Sequence, residues 1–289
     1  MLCRHYRGPA GIGDRNDEAP DGRGRSAIDE RLGLGVSLMT TPGDVWVILP
    51  TYNESENVSA MLDALLAVFA QSDIDGHVLV VDDNSPDGTG EIADGAAEEN
   101  PRVHVLHRAA KEGLGPAYRA GFRYALEAGA HLLVQMDCDF SHDPGAVPSL
   151  IAAADSADLV IGSRYVTGGG TRDWGLVRRM ISRSGCLYAK EILRLPVNDL
   201  TGGFKCFRRS VLEAIPLDDV DAAGYGFQIE MTYRALLLGF RVTEVPITFV
   251  DRRLGTSKMN GAIVWEAATL VPRLRRRLRR VPAQLPAVA

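Results

Sequence analysis

Cysteine is scarce in this 289-residue sequence, and long apolar runs are missing. The four cysteines, Cys3, Cys138, Cys186 and Cys206, form no C-x-x-C pair. This spacing argues against a disulfide framework or a zinc site and is typical of reduced thiols in a cytosolic protein. No stretch reaches the roughly 18 consecutive apolar residues that span a bilayer, and the N-terminus lacks the apolar core of a signal peptide. We therefore expect a cytoplasmic protein that is soluble or attached to a membrane from one side.

The charge of the chain gives no sign of a nucleic-acid partner, because the formal net charge is -5. Basic residues are nevertheless concentrated near the C-terminus, where six arginines lie within residues 273–280. An apolar stretch with an arginine-rich flank is typical of a helix that lies on an anionic membrane surface. We therefore predict an amphipathic helix and basic tail over residues 261–289, with Pro272 breaking or bending the helix.

The first 43 residues contain Gly, Pro, Asp and Arg without apolar periodicity, which predicts a disordered extension. Met39 lies just before the first convincing strand, so translation from Met39 rather than Met1 would remove most of this segment. The sequence leaves both starts open.

From Val45 onward, short apolar runs alternate with helical patterns. This alternation predicts an α/β fold of the Rossmann type, with a mostly parallel sheet flanked by helices. The predicted strands are 45–50, 77–83, 103–108, 131–137 and 158–164, and the predicted helices between them are 53–69, 87–100, 114–129 and 144–154. After Gly170 the pattern is less regular, and predicts a helix over 174–195, a strand over 203–209, a helix over 226–239, a strand over 241–250 and a final helix from Gly261.

Polar residues collect where the predicted strands end. Ligands of such sheets bind beyond the carboxyl ends of the strands, so this coincidence predicts an active site there. The residues concerned are Asn53, Glu54, Asp82, Asp83, Asp137, Asp139 and Arg164.

Asp137 and Asp139 in MDCDF are two aspartates two positions apart, directly after a buried strand. Mg²⁺ and Mn²⁺ prefer oxygen ligands and commonly bridge a carboxylate to substrate phosphates. The alternative is two solvated loop carboxylates, but the position at a strand end favours the metal site.

Asp82 and Asp83 end the second strand in VVDDNSPDGTG. A carboxylate there could accept hydrogen bonds from a base or ribose hydroxyl. It could equally belong to the start of the next helix, for which Asp87 or Ser85 is better suited. The residues alone leave these alternatives open, and TYNE (51–54) could likewise be a simple turn.

Taken together, eight motifs resemble the dolichol- and polyprenol-phosphate mannose synthases, which are inverting family 2 glycosyltransferases with a GT-A fold. The resemblance runs in order from about Val45 to Met259 and implies one catalytic domain over 44–260. The motifs are ILPTYNESENV, VVDDNSPDGTG, KEGLGPAYRAGF, MDCDFSHDP, IGSRYVTGGG, DLTGGFKCFRR, GYGFQIEMTYRA and VPITFVDRRLGTSKM.

The resemblance also implies roles for individual residues. The residues implied to bind the nucleotide sugar are Pro50, Tyr52, Glu54, Asp82, Asp83, Asp137, Asp139 and Arg253. The residues implied to contact phosphates or the acceptor are Arg164, Arg178 or Arg179, Arg252 or Arg253, and Lys258. Asp137 and Asp139 are implied to hold Mg²⁺ or Mn²⁺, and Asp139, Arg164 and Lys258 to act in catalysis. Some relatives place a third metal ligand where this chain has Ser141, which puts a third protein ligand in doubt.

The implied activity is transfer of mannose from GDP-mannose to a polyprenyl phosphate with inversion. Three alternatives remain open: a UDP-glucose-dependent synthase of polyprenyl phosphoglucose, a sugar nucleotidyltransferase, and a non-catalytic scaffold subunit. The glycine-rich, basic phosphate loop of a nucleotidyltransferase is missing after the first strand. The implied location is the inner face of the cell membrane. Because some relatives have C-terminal transmembrane helices that this chain lacks, the implied partners include an anionic membrane surface and a separate membrane-anchoring protein.

Overall fold

The structure is a computed structural model that describes residues 45–220, 222, 224–251 and 261–278, without the side chains of residues 225 and 261–268. The predicted disordered extension and both candidate start positions lie outside the described residues.

The described residues form a seven-stranded sheet. Its strands are β1 (Val45–Thr51), β2 (Gly76–Asp82), β3 (Val103–His107), β4 (Leu132–Gln135), β5 (Leu159–Ser163), β7 (Lys205–Arg208) and β8 (Val242–Pro246). The strand order is β3-β2-β1-β4-β7-β5-β8, and β7 runs antiparallel to both its neighbours while the other pairs are parallel. The predicted mostly parallel α/β sheet is therefore confirmed.

Helices connect and cover the strands. They are α1 (Val58–Gln71), α2 (Thr89–Glu99), α3 (Leu114–Glu127), α4 (Val147–Ala153), α5 (Leu176–Leu193), α6 (Arg209–Ala214), α7 (Gly224–Leu237) and α8 (Gly261–Leu278). Helix α3 approaches the sheet closely because Gly121 has no side chain. A Cβ atom there would lie 2.5 Å from Ile48 Cγ2. This contact packs α3 against β1, beside the crevice described next.

The chain reverses its direction of winding at β1. Strands β2 and β3 are added on one side of β1, whereas β4 pairs with the other side. Such a switch point opens a crevice at the carboxyl ends of the two central strands, and ligands of α/β sheets bind in this crevice. The turn after β1 contains Tyr52 and Glu54, and the loop after β4 contains Asp137 and Asp139. The topology therefore brings the first and fourth predicted strand ends together.

One prediction about the second half of the chain was incomplete. The single strand predicted over 241–250 is interrupted after Pro246, and its second part, β9 (Thr248–Val250), pairs with β6 (Gly170–Arg172) in a separate two-stranded sheet. The glycines at 168–170 make a turn into β6, in which Gly168 has a φ of 88°. A Cβ on Gly169 would lie 2.4 Å from the Ser163 carbonyl oxygen, so this turn requires glycine.

The final helix was predicted to begin at Gly261, and α8 confirms this start. It continues through Pro272 to Leu278, so of the predicted break or bend at that proline the break is excluded. Val271, Leu274 and Leu278 are buried in the main hydrophobic core, and α8 packs against α5 and α7. These three side chains, in the part of α8 whose side chains are described, therefore face protein. Within the described part of the chain, no helix combines the length and apolarity needed to cross a membrane.

Candidate active site

The candidate metal-binding loop directly follows β4. Asp137 keeps 33% of its side-chain surface exposed, whereas Asp139 is 7% exposed. Asp137 Oδ1 accepts a hydrogen bond from the Tyr118 hydroxyl at 3.3 Å, and burial together with the nearby Asp137 charge raises the pKa of Tyr118. The tyrosine therefore stays protonated and holds the carboxylate at the crevice.

A buried histidine fixes the shape of this loop. The His142 ring stacks on Phe204, and its Nδ1 accepts a 3.4 Å hydrogen bond from the Asp137 backbone N–H. Burial lowers the pKa of His142, so the ring is neutral and suited to accept. Phe140 takes a φ of 56°, which turns the chain between the two aspartates and the histidine. His142 therefore has a structural role.

The residues present fit a divalent cation that shares its coordination with a substrate. Ser141 donates its backbone N–H and its hydroxyl to Asp139 Oδ1, at 3.0 and 2.5 Å. The serine thus orients a carboxylate. Across the described ranges, no group of three or more His, Cys, Asp or Glu side chains could hold a metal. Two aspartates alone suit Mg²⁺ or Mn²⁺, which keep other positions for phosphate oxygens and water.

The opposite wall of the crevice comes from the turn after β1. The Tyr52 ring contacts the Lys111 ammonium, which lies 3.6 Å from the ring centroid. Asn53 has a φ of 59°, and Glu54 accepts a 2.7 Å hydrogen bond from Asn57 Nδ2. Pro50 and Tyr52 are half-buried, which leaves their surfaces open to a ligand.

Asp82 and Asp83 have partners within the protein. Asp82 accepts hydrogen bonds from the Thr51 hydroxyl at 3.1 Å and from Ser85 N at 3.0 Å. Asp83 accepts one from Arg108 at 2.5 Å, and Arg108 also pairs with Glu112. These contacts identify a structural role for both carboxylates, and their implied contact with a base or ribose stays a prediction.

Arg164 follows β5 and is held by Asp199, whose role was not predicted. Its Nε and one terminal nitrogen donate to the two oxygens of Asp199, at 2.7 and 2.6 Å, and its backbone N–H donates to the same carboxylate. Burial alone would lower the pKa of Arg164, but the Asp199 charge and hydrogen bonds raise it above its ordinary value. The paired guanidinium is therefore a fixed, permanent charge. Asp199 lies in the quoted motif DLTGGFK, but its partner is 35 residues away and only the fold joins them.

The structure distinguishes the two arginines that open α5. Arg178 faces the domain and donates to both oxygens of Asp251 at 2.7 Å, whereas Arg179 is exposed. Arg178 thus remains a candidate phosphate ligand, and Arg179 lies on the outer surface. Helical spacing does not carry this signal, because Arg178 and Arg179 lie on either side of the direction set by the buried residues Cys186, Ala189 and Leu193.

Aromatic rings surround the two inner arginines. The Arg164 guanidinium lies 5.2, 5.5 and 5.6 Å from the ring centroids of Tyr165, Trp174 and Phe249. The Arg178 guanidinium lies 4.3 Å from the Trp174 ring. These rings were not predicted, because they come from three separate elements. They form a basic, aromatic wall next to the candidate metal-binding loop, since Phe249 also contacts the His142 ring.

A buried lysine supports the sheet beneath the site. Lys205 pairs with Gln135 in the β4–β7 register, and its Nζ donates to the Gln228 carbonyl at 2.7 Å and the Thr232 hydroxyl at 3.0 Å. Burial lowers its pKa to about 7. Lys205 was also missed, because its surroundings in the sequence read as an apolar strand. Arg252, Arg253 and Lys258, which complete the implied site, lie outside the described residues.

Comparison with known proteins now decides the family. The profile described as Glycosyl transferase family 2 matches residues 46–215. The chain belongs to glycosyl transferase family 2. It is 52% identical over 229 residues to undecaprenyl-phosphate mannosyltransferase of Micrococcus luteus, covering 79% of this chain and 93% of that protein. It is 49% identical over 223 residues to polyprenol monophosphomannose synthase of Mycolicibacterium smegmatis, covering 76% and 83%.

Solved structures share the fold at lower identity. Glucosyl-3-phosphoglycerate synthase from Mycobacterium tuberculosis, in complex with Mn²⁺, UDP-glucose and phosphoglyceric acid, matches with a TM-score of 0.61 and 20% identity, covering 81% of this chain and 80% of that one. Mannosyl-3-phosphoglycerate synthase from Rubrobacter xylanophilus matches with a TM-score of 0.59 and 18% identity, covering 85% and 77%. The predicted GT-A-like fold of this glycosyltransferase is confirmed.

Proposed function

We propose that this glycosyltransferase moves mannose from GDP-mannose to a polyprenyl monophosphate and forms a β-linked polyprenyl phosphomannose. One observation carries the proposal: the Asp137–Asp139 loop lies at the switch-point crevice, beside a wall of fixed arginines, in a chain about half identical to two polyprenyl-phosphate mannosyl enzymes. The crevice suits a nucleoside diphosphate sugar, and the arginine wall suits a second phosphate.

The acceptor needs no strong general base. A phosphate monoester has a second pKa of about 6, so it is largely a dianion at neutral pH. One of its oxygens attacks the anomeric carbon of mannose. The new C–O bond forms as the bond to the nucleoside diphosphate breaks, and in-line attack inverts the anomeric centre. The neutral, buried His142 is therefore not required as a base.

The chemical difficulty is the charge that develops on the leaving diphosphate. Asp137 and Asp139 would hold a Mg²⁺ or Mn²⁺ ion, which when bound supplies positive charge to the diphosphate oxygens. Arg164 adds a charge that costs no reorganisation, because Asp199 already fixes its guanidinium. Arg178 is fixed in the same way by Asp251. Asp199 and Asp251 thus act as positioning residues.

The nearest competing function has the same mechanism with UDP-glucose as donor. Incubating the enzyme with equal GDP-mannose and UDP-glucose, a short polyprenyl phosphate and Mg²⁺ separates the two. We expect mannose in the lipid product, with a β-anomeric signal in its NMR spectrum. Glucose in the product would contradict the proposed donor, and an α-linked product would contradict the inverting mechanism. Failure of both donors to react would favour the scaffold function.

The proposal includes peripheral attachment to a membrane, and the surface that best supports it is the outer face of α5. Leu176, Val177 and Met180 are 74, 71 and 69% exposed, and Leu187 is 57% exposed on the same side of the helix. Exposed Arg179 and Arg183 flank this apolar face. Apolar side chains bordered by arginines suit the interface of an anionic bilayer. This location differs from the C-terminal helix predicted from sequence, whose Val271, Leu274 and Leu278 are buried.

Introducing negative charge on this face gives a direct test. We expect the double change Leu176→Glu and Met180→Glu to abolish sedimentation with vesicles that contain anionic lipid, because it places two carboxylates at the headgroups. Ile92→Glu is a matched control, since Ile92 is an exposed apolar residue on α2, 38% accessible. Unchanged vesicle binding by the α5 variant would remove α5 as the lipid-facing surface.

A further inference from the structure

Two buried N–H groups at the arginine wall lack hydrogen-bond partners among the described residues. They are Trp174 Nε1 and Arg178 Nε. Trp174 is only 7% exposed, so water reaches its side chain poorly. Buried donors are nearly always satisfied in folded proteins, and exceptions at a functional site point to a missing ligand. Both groups are donors only, so the missing partner is an acceptor of hydrogen bonds.

The surrounding contacts fix the Trp174 ring in place. The Arg178 guanidinium lies 4.3 Å from the ring centroid, and the Phe249 ring packs against the indole at 5.2 Å with an interplanar angle of 72°. Arg164 lies within 5.5 Å of the same ring. The indole N–H therefore has a defined direction and sits among positive charges, which favours an anion as its partner.

The position of Trp174 favours the acceptor's phosphate over the donor's diphosphate. The Phe249 ring contacts both the Trp174 indole and the His142 ring, so one aromatic ring links Trp174 to the candidate metal-binding loop. Trp174 lies two residues before the start of α5, whose first residues, Leu176 and Val177, are exposed and belong to the apolar outer face. A phosphate with a lipid tail could place its head at Trp174 and its tail along that face.

We propose that Trp174 is a binding residue for the acceptor, whose phosphate oxygens accept hydrogen bonds from Trp174 Nε1 and Arg178 Nε. The indole face at the same time holds the Arg178 guanidinium in position. The assignment of the ligand rests on the proposed function, and the role of Trp174 adds a specificity for a phosphorylated acceptor that the metal-binding loop does not provide.

Trp174→Phe tests this, because it keeps an aromatic face for Arg178 and removes only the N–H. Loss of one hydrogen bond to a charged group predicts an acceptor KM raised about tenfold, with the donor KM and kcat nearly unchanged. Trp46→Phe is the matched control, since Trp46 is similarly buried but stacks on His77 and His104. It lies in the part of the sheet formed by β1, β2 and β3. This control should leave the acceptor KM unchanged.

Direct binding separates this inference from the proposed function. Calorimetry without donor should show that wild-type protein binds a short isoprenyl monophosphate, that it does not bind the matching isoprenyl alcohol, and that Trp174→Phe weakens binding of the monophosphate about tenfold. Equal binding by a folded Trp174→Phe variant would overturn the role of Trp174 alone. A wild-type protein that binds no isoprenyl monophosphate would overturn the acceptor class, and with it this inference. A raised donor KM with an unchanged acceptor KM would assign Trp174 to the donor instead.

Discussion

The two sides of the crevice use charged residues differently. On the β1–β2 side, buried Asp82 accepts hydrogen bonds from Thr51 and Ser85, and buried Asp83 pairs with Arg108, whose charge is also balanced by Glu112. On the β5–α5 side, buried Asp199 holds Arg164 and half-buried Asp251 holds Arg178. The first arrangement stiffens a turn, and the second arranges positive charge for an anionic ligand. A carboxylate at a strand end is therefore not by itself a ligand-binding group.

Breaking the Arg164–Asp199 pair should have the largest effect on stability. Asp199→Asn leaves a buried guanidinium without its counter-charge, which costs about 3–5 kcal/mol of the free energy of unfolding. Urea denaturation measures this. Glu213→Gln, which removes the exposed pair with Arg209, is the control and should cost no more than about 0.5 kcal/mol. A loss below about 1 kcal/mol for Asp199→Asn would contradict the assigned role of Asp199.

Asp82→Asn tests the other side of the crevice. The amide cannot accept from all of Thr51, Ser85 N and the Ser85 hydroxyl, so we expect a loss of about 1–3 kcal/mol in stability. If Asp82 has only this structural role, the KM for the sugar nucleotide stays within about twofold of wild type at temperatures where the variant is folded. A large rise in that KM would instead support the contact with the base or ribose that the sequence predicts. Asp63→Asn, at an exposed position on α1, is the control.

The smallest expected effect concerns pH and the edge of the sheet beyond β2. His77 and His104 form a 2.9 Å hydrogen bond between their rings, and burial lowers the pKa of each. The unfolded chain therefore binds more protons than the folded protein at pH values below the ordinary histidine pKa of about 6.5, and stability falls as the pH drops through that value. His104→Gln should weaken this dependence of Tm on pH, and exposed His131→Gln should not. An unchanged dependence in His104→Gln would contradict the assignment to this pair.

The alternation of strands and helices was predictable because each strand is a short buried run with a clear period. The direction of β7 was not, since four residues, Lys205–Arg208, carry no signal that separates parallel from antiparallel pairing. The split between β8 and β9 was missed for a related reason. Both parts contain β-branched residues typical of strands, and their pairing with different sheets separates them.

Of the site, sequence reasoning found the groups that end strands, such as Asp137, Asp139 and Arg164. It missed the groups that hold them, namely Asp199, Asp251 and Trp174, because these approach from distant parts of the chain. Arg178 could not have been chosen over Arg179 from helical spacing, because both lie about equally close to the buried face of α5. The outward apolar face of α5 could have been found from the helical spacing of its apolar residues. The burial of Val271, Leu274 and Leu278 on α8 depends instead on tertiary packing against α5 and α7.

The most direct test of a metal-assisted reaction is transfer of labelled mannose from GDP-mannose to a short polyprenyl phosphate. The assay compares wild-type protein with Asp137→Asn, each with Mg²⁺ or with EDTA. We predict label in the lipid fraction for the wild type with Mg²⁺, its loss in EDTA, and a rate about 10²–10³-fold lower for Asp137→Asn, since the carboxylate would no longer hold the cation on the diphosphate. Equal transfer by both proteins, undiminished in EDTA, would contradict a metal-assisted reaction at this crevice.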